Sequence, residues 1–511
     1  MVNEKRSKRV TEESLPLERL TQDDLQKCQP YSSVGASCSP LPSSNISGIP
    51  YNNRSFAVSK GRYEYLKSIA SDLSRSEWRL FCHLIISTMS QYRKLHENAS
   101  GWVRIPRRSI HAKFRNAAPS RLEVLGLIDI SRHYTPGKQS RGYRVNSWVL
   151  EGFIEAESLD DSSRNEPQVS IINGKPLKTP TNAAVTIAKD SVETNELPQL
   201  VEQAIHAIHT CYFNRPAVIV HLKRLRASYR ADPTISNRFR YLNDRFVYDA
   251  INQYAEPVDG TPDIYHFTPS YRMQATGRIG TPLQNASRSM KQAAYTSIPN
   301  LHNYDLASSQ MALCLHEFER HGIECPWLET YLRNTGMRDE HAQYVAVSID
   351  TWKKCLYTLL MTGYLPTNIK WQGSPIVEAL AVEHPQPEAL KGALSRFREV
   401  AKPLTRALNA WQKQIKATAN ESGKLINMLG IQRPIASFTK SAEMVAHVLQ
   451  GMEAYFIHTL TTLSTRYGFE VIGNEHDGLI TLNKIPEEAI RETQRLTGLH
   501  CLELREKPFN G

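Results

Sequence analysis

Two polar stretches decide how this chain can fold. Residues 1–56, with runs such as "CSPLPSSNISGIPYNNRS", and residues 152–194, with "ESLDDSSRNEPQVSIINGKPLKTPTN", are rich in Ser, Pro, Asn and charge. Neither can bury enough apolar surface to offset the entropy of ordering it. The first is expected to be a disordered tail and the second a flexible linker, leaving folded units at 57–151 and 195–511. A single core is excluded by length as well, since cores stop growing near ~300 residues and this chain has 511. Its 62 Lys and Arg exceed its 51 Asp and Glu, a net charge of +11 that favours a polyanionic partner, nucleic acid first. Eight cysteines fall in no CxxC or Cys/His spacing, so neither a zinc site nor a disulfide framework is indicated, and a reducing cytoplasm is the expected compartment. No apolar run approaches the ~18 residues of a membrane span, and "MVNEKRSKRV" lacks the apolar core of a signal peptide, so no membrane partner is expected.

The 57–151 unit reads element by element. "SRSEWRLFCHLIISTMSQYRKL" has a Ser N-cap candidate and helix-spaced Trp78, Phe81, Ile85 and Met89; "WVRIP" follows as a short strand. "RRSIHAKF" and "APSRLEVLGLI" read as two short helices around a turn, and "IDISRHYTPGKQSRGYRV" as a β-hairpin with Pro136 and Gly137 at its tip. This order resembles the winged helix-turn-helix domains of replication initiators and transcription regulators. The resemblance implies a DNA-binding domain whose second paired helix is offered to the major groove, with Arg115, Arg121, Arg132, Lys138 and Arg141 on that helix or on the wing, against phosphates. A winged helix used for protein contacts, its charges merely solvated, fits the same pattern.

In the second unit, "VIVHLKRLRASYRADPTISNRFRYLNDRF" mixes basic and aromatic residues at helical spacing, so 195–270 is expected to be helical, either gripping a duplex or presenting a solvated basic face. Four segments follow. "YRMQATGRIGTPLQNASRSMKQAAY" has Arg278, Gln284, Asn285, Arg288 and Lys291 in a polar, exposed context. In "LHNYDLASSQMALCL", Asp305 ends a short strand and a helix starts through Ser308, Ser309 and Gln310. "TWKKCLYTLLMTGYLP" is a basic helix start that runs into an apolar stretch and stops at Gly363 and Pro366. "FEVIGNEHDGLITL" sets His476 and Asp477 between two runs that read as buried strands. Asp477 is either a turn residue bonding its own backbone or a carboxylate reaching into a cleft to hold a metal. Asp305 is either a helix N-cap or its partner, and His476 either packs the hairpin or lines the cleft.

In this order the four segments resemble the signatures of the family A DNA polymerases and their relatives, the single-subunit phage RNA polymerases, over residues 271–511. "TGRIGTPLQN" with "MKQA" is similar to the family's primer-template segment, "YDLASSQ" to motif A, "KCLYTLLMTG" to motif B and "EHDG" to motif C; Lys354 follows Asp305 by 49 residues and precedes Asp477 by 123. The resemblance implies an α+β right-hand polymerase with palm and fingers in 271–511 and a reduced thumb in 195–270. Nucleotidyl transfer displaces pyrophosphate in line at the α-phosphate, and two cations held by two carboxylates suit that chemistry. Asp305 and Asp477 are thus implied catalytic ligands of two Mg²⁺ ions. Lys354 is implied to bind the triphosphate and protonate the leaving group, with Lys353 competing for that role; Arg278, Gln284, Asn285, Arg288 and Lys291 contact primer and template, and His476 positions the primer end. The expected partners are a DNA template and primer, dNTPs or rNTPs, and replication accessory proteins of a phage or plasmid system.

Three departures bear on the substrate. Asp350 stands where the family's DNA polymerases carry an arginine; Gln310 replaces the glutamate that blocks a ribose 2′-hydroxyl; Thr362 replaces the motif B tyrosine. With both elements of sugar selection altered, a DNA polymerase, an RNA polymerase or primase, and a DNA-binding initiator with an inactive palm all remain open. A reverse transcriptase fits less well, because one aspartate follows His476 where that class has two.

Overall fold

The computed structural model describes residues 57–90, 102–104, 117–131, 142–156, 168–176 and 185–187, and 197–509 apart from short gaps at 209, 233, 253–254, 270, 282, 370–373 and 439–440. The expected tail 1–56, the hairpin tip and Arg115, Arg132, Lys138 and Arg141 lie outside the described residues. The fold is mixed, with many helices and several small sheets.

Ser74 starts the first long helix, Arg75–Ser90, by a reciprocal cap: its N–H donates to Glu77 at 2.8 Å and its hydroxyl accepts from the Glu77 N–H at 3.4 Å. Trp78, Phe81 and Ile85 fall on one face at helical spacing and are buried there. Helix Ala117–Val124 packs against that helix, and strands Val103–Arg104, Gly142–Val145 and Ile128–Ile130 form an antiparallel sheet with Gly142–Val145 central. Arg121, at the end of its helix, is half exposed and stands 3.7 Å from Glu77.

Two sequence expectations need correction. The stretch 152–194 is not linker throughout: the helix Ser147–Glu155 continues past residue 151 with Phe153 and Ile154 buried, and Gln168–Ser170 pairs antiparallel with Ala57–Ser59. Trp78 donates its indole N–H to Ile172 O at 2.7 Å, and Val185–Ile187 runs parallel to Tyr271–Met273. Short β-branched runs suffice for edge pairing, because backbone bonds rather than buried area hold them. Nor is 195–270 purely helical. Its helices Arg215–Ala231 and Ile235–Asn252 pack on each other beside a sheet in which Thr261–Phe267 lies between Cys211–Asn214 and Glu256–Val258.

These two regions share a buried joint. Arg62 is fully buried; its Nη1 donates to Asp249 at 3.0 Å and its Nε to Phe153 O at 3.1 Å, while Arg245 holds the other oxygen of Asp249 at 2.8 Å. On the rim, Glu155 accepts from Arg226 at 2.7 Å and from Arg230. An unpartnered buried charge is strongly unfavourable, so these ion pairs fix how the units seat together.

The remaining elements build one layered body: α1 (Arg288–Tyr295), β1 (Leu301–Leu306), α2 (Ser309–Arg320), α3 (Ile349–Thr362), α4 (Pro387–Ser422), the hairpin β2 (Lys424–Ile426) and β3 (Gln432–Pro434), α5 (Ser441–Thr462), β4 (Glu470–Asn474), β5 (Gly478–Leu482), α6 (Glu487–Thr497) and β6 (Leu504–Glu506). The central sheet is antiparallel in the order β4-β5-β1-β6. Helix α5, expected to be amphipathic, is instead buried along most of its length, because α2, α3, α6 and the helix Gln199–Ala207 surround it. Among the described residues no helix is long and apolar enough to cross a membrane, and no cysteine is paired.

Candidate functional site

Strand pairing brings the two aspartates together. Asp305 lies near the end of β1, opposite Gly478, and Asp477 sits in the turn just before it; the Leu306 N–H donates to Asp477 O at 2.7 Å. Gly478 is what allows this approach, since a Cβ there would fall 2.1 Å from the Tyr304 carbonyl oxygen. The turn is held mainly by other groups: Asn474 Oδ1 accepts from the His476 N–H at 3.0 Å, and the Glu475 N–H donates to Gly478 O at 2.9 Å. His476 takes a left-handed conformation, φ 73°, to complete it.

Burial, and after it the Asp305 carboxylate, pushes Asp477 above the ordinary aspartate range, against the pull of its own backbone N–H, Arg278 and Lys507. Lys507, just beyond β6, sets its ammonium on the Asp305 carboxylate. A repelling acidic pair that already draws a cation is a fitting donor set for Mg²⁺. Among the described residues no three His, Cys, Asp or Glu side chains gather as ligands, so the protein would supply two carboxylates, leaving water and phosphate oxygens to complete the shell.

Behind the pair lies a residue that the sequence reading missed. Glu453 on α5 is fully buried and accepts from Ser309 Oγ at 3.0 Å, from Gln310 Nε2 and from Arg278 Nη2. Burial, with a further push from Asp477, raises its carboxyl to about 7 against the pull of Arg278, Ser309 and Gln310. The available signal was a lone carboxylate inside the apolar run "VLQGMEAYFIHTL". Arg338, whose Nη2 donates to Ser308 Oγ at 2.5 Å, was noted only as a spare cation, and Tyr357 not at all. Tyr357 has its hydroxyl pKa raised by burial, with the charges of Arg338, Asp477 and Asp305 also acting on it, so α3 faces the acidic pair across a cleft.

The other expected site residues divide. Arg278 and Lys291, read as exposed, are internal ion-pair partners of Glu453 and Glu475. Gln284 is buried; only Asn285 and Arg288 of that segment are exposed. Burial, followed by Arg278, Lys291 and His458, lowers His476 to about 4, so its ring is neutral near pH 7, with Nε2 3.4 Å from Gln274 Nε2. Lys354 is exposed and Lys353 half-buried; they stand three and four residues before Tyr357 and so flank its face of α3. The expected pairing of Gln310 with Thr362 gives way to other bonds: Thr362 Oγ1 donates to Thr358 O at 2.8 Å, and Gln310 turns to Glu453. Asp350 sits in the first turn of α3, where the helix dipole favours an acid.

Buried polar atoms without a partner crowd this region: Thr276 Oγ1, Gln284 Nε2, Gln310 Oε1, Asn474 Nδ2 and His476 Nδ1. Such atoms are rare in a finished core and fit a cleft that takes a polar ligand. An enclosed cavity of about 170 Å³ lies elsewhere, between Asp129, Arg144 and Arg238, and none of its lining residues belongs to the four segments.

No family model matches the chain, and no curated protein matches it. Among solved structures, the polymerase domain of Pol1 from M. smegmatis, in complex with DNA primer-template and dNTP, aligns over 56% of this chain at 14% identity with a TM-score of 0.34. The match spans 55% of that domain's own length.

Proposed function

We propose that this chain is a template-directed nucleotidyltransferase joined to a winged-helix DNA-binding unit. The observation that carries the reading is the pair Asp305 and Asp477, set on neighbouring antiparallel strands at a contact that only Gly478 permits. On this reading the central sheet is the palm, α3 and its neighbours are the fingers, residues 197–269 take the place of a thumb, and 57–155 bind DNA. Asp305 and Asp477 would hold two Mg²⁺ ions, which when bound stabilise the attacking 3′-oxygen and the departing pyrophosphate together. Lys354 binds the phosphates and gives the leaving group its proton. Neutral His476 packs at the primer end without adding charge beside the pair. Arg338, on the far side of Ser308 from Asp305, supplies a cation near the phosphates where Asp350 cannot.

The test is incorporation of labelled nucleotide on a primed DNA template with Mg²⁺. Asp305→Ala and Asp477→Ala each abolish it while leaving duplex binding nearly intact; substantial turnover by either variant would sink the assignment. Lys507 favours a second reading, a replication initiator whose palm is inert, because its ammonium already neutralises Asp305. Any Mg²⁺-dependent incorporation by the unmodified protein excludes that alternative.

A further inference from the structure

We infer that Glu453 is a positioning residue for sugar choice: it holds Gln310 so that the carboxamide oxygen, not the nitrogen, is presented to the incoming nucleotide, which makes ribonucleoside triphosphates the favoured substrate class. This rests on the nucleotidyltransferase reading and deepens it.

Three donors converge on the two oxygens of Glu453, from Arg278, Ser309 and Gln310. A carboxylate only accepts, so the end of the Gln310 amide that meets it must be the NH₂. Flipping the amide would set oxygen against oxygen in a site from which water is excluded. Arg278 and Ser309 fix the carboxylate from the other sides, so Glu453 cannot turn away to relieve the flip. Gln310 is itself 7% exposed, and its Oε1 is a buried acceptor with no partner. The residue sits in the first turn of α2, immediately beyond the strand that carries Asp305. Its amide is thus tied to the frame of the acidic pair, and the charge of Asp477 acts on the Glu453 carboxyl that holds it.

A buried acceptor without a partner is unfavourable until a donor arrives. A ribose 2′-hydroxyl is such a donor; a deoxyribose has none and leaves the oxygen unmet. A site built to bond a substrate hydroxyl rejects the analogue that lacks it more strongly than a merely roomy site would. The Thr362 hydroxyl, bonded within its own helix, does not compete for Gln310 Oε1.

The experiment compares kcat/KM for rNTPs and dNTPs on one primed template. In Glu453→Gln the neighbouring side chain can donate as well as accept, so Gln310 is free to flip, and the rNTP:dNTP ratio falls about tenfold, the worth of one buried hydrogen bond. Gln310→Leu, which offers neither donor nor acceptor, lowers the ratio by a similar factor. The two changes together lower it no further than either alone, because Glu453 acts through Gln310. A ratio unmoved by Gln310→Leu overturns the inference, and so does an equal effect of Glu453→Gln in the presence and absence of Gln310. Should Glu453→Gln fail to fold, the Gln310→Leu ratio alone decides. Absence of all incorporation by the unmodified protein would instead defeat the nucleotidyltransferase reading itself.

Discussion

Gly478→Ala tests how the acidic pair is held. The added Cβ would stand 2.1 Å from the Tyr304 carbonyl oxygen, whereas real Cβ contacts essentially never fall under 3.0 Å. The obstacle is backbone, so no side chain can swing aside. Strands β1 and β5 must part by about 1 Å, a displacement that can cost about 100-fold in rate when it falls on reacting groups. It falls here, because Asp305 is the residue paired with Gly478 and the bond from Leu306 N–H to Asp477 O lies beside it. Overpacking of this kind also costs about 1–3 kcal/mol of stability. Steady-state incorporation and urea denaturation on the same preparation separate the two effects. The variant is expected to remain folded below its lowered midpoint with kcat down about 100-fold. Wild-type kcat with an unchanged midpoint would show that the strands do not meet as described and that glycine does not set the carboxylate spacing.

Lys354→Ala should lower kcat by more than about 100-fold through lost phosphate stabilisation, and Lys353→Ala by less, measured in the same incorporation assay; the reverse ranking would move the register of α3 by one residue. Arg62→Met leaves Asp249, 1% exposed, with one of its two cations, and chemical denaturation should register a loss of about 3 kcal/mol. For the same reason, deletion of residues 1–156 is expected to yield a less stable catalytic unit, seen as a lower melting temperature, not a freely separable one. Buried His447 and His458 are held by desolvation at about 4 in the folded protein. Unfolded they titrate near ~6.5, so the unfolded state binds more protons between these values. Their stabilisation is therefore full above the unfolded value and is lost as pH falls toward 4, by about 3 kcal/mol each, which circular dichroism across that range will follow.

The parts of the site legible in the sequence were those with a strong local pattern. Apolar runs flanking "NEHDG" and the turn into "LASSQ" specified strands and a helix start, and antiparallel pairing then brought Asp305 and Asp477 together. The stop of α3 at Gly363, φ 61°, was equally local. What stayed hidden depends on partners distant in sequence. Arg278 reads as an exposed cation in a polar loop until Glu453, 175 residues later, is seen to take it. Arg62 and Asp249, 187 residues apart, sit in helices whose charges look solvated from either side. The strands inside 152–194 were invisible because composition reports average polarity, while an edge strand needs only three residues and a neighbour's free backbone.

The order β4-β5-β1-β6 also bears on how the molecule comes into being. Strand β1 pairs on one side with β5 and on the other with β6, and the contact of Asp305 with Lys507 spans 202 residues of chain. Closing a loop of that length costs about 5 kcal/mol before any contact repays it. During synthesis β1 therefore waits with both edges bare while everything through β4 is made, so the helices have to gather first and hold a slot open for it. The acidic pair is among the last features to form, and chains still short of β5 and β6 carry unpaired edges open to association with one another.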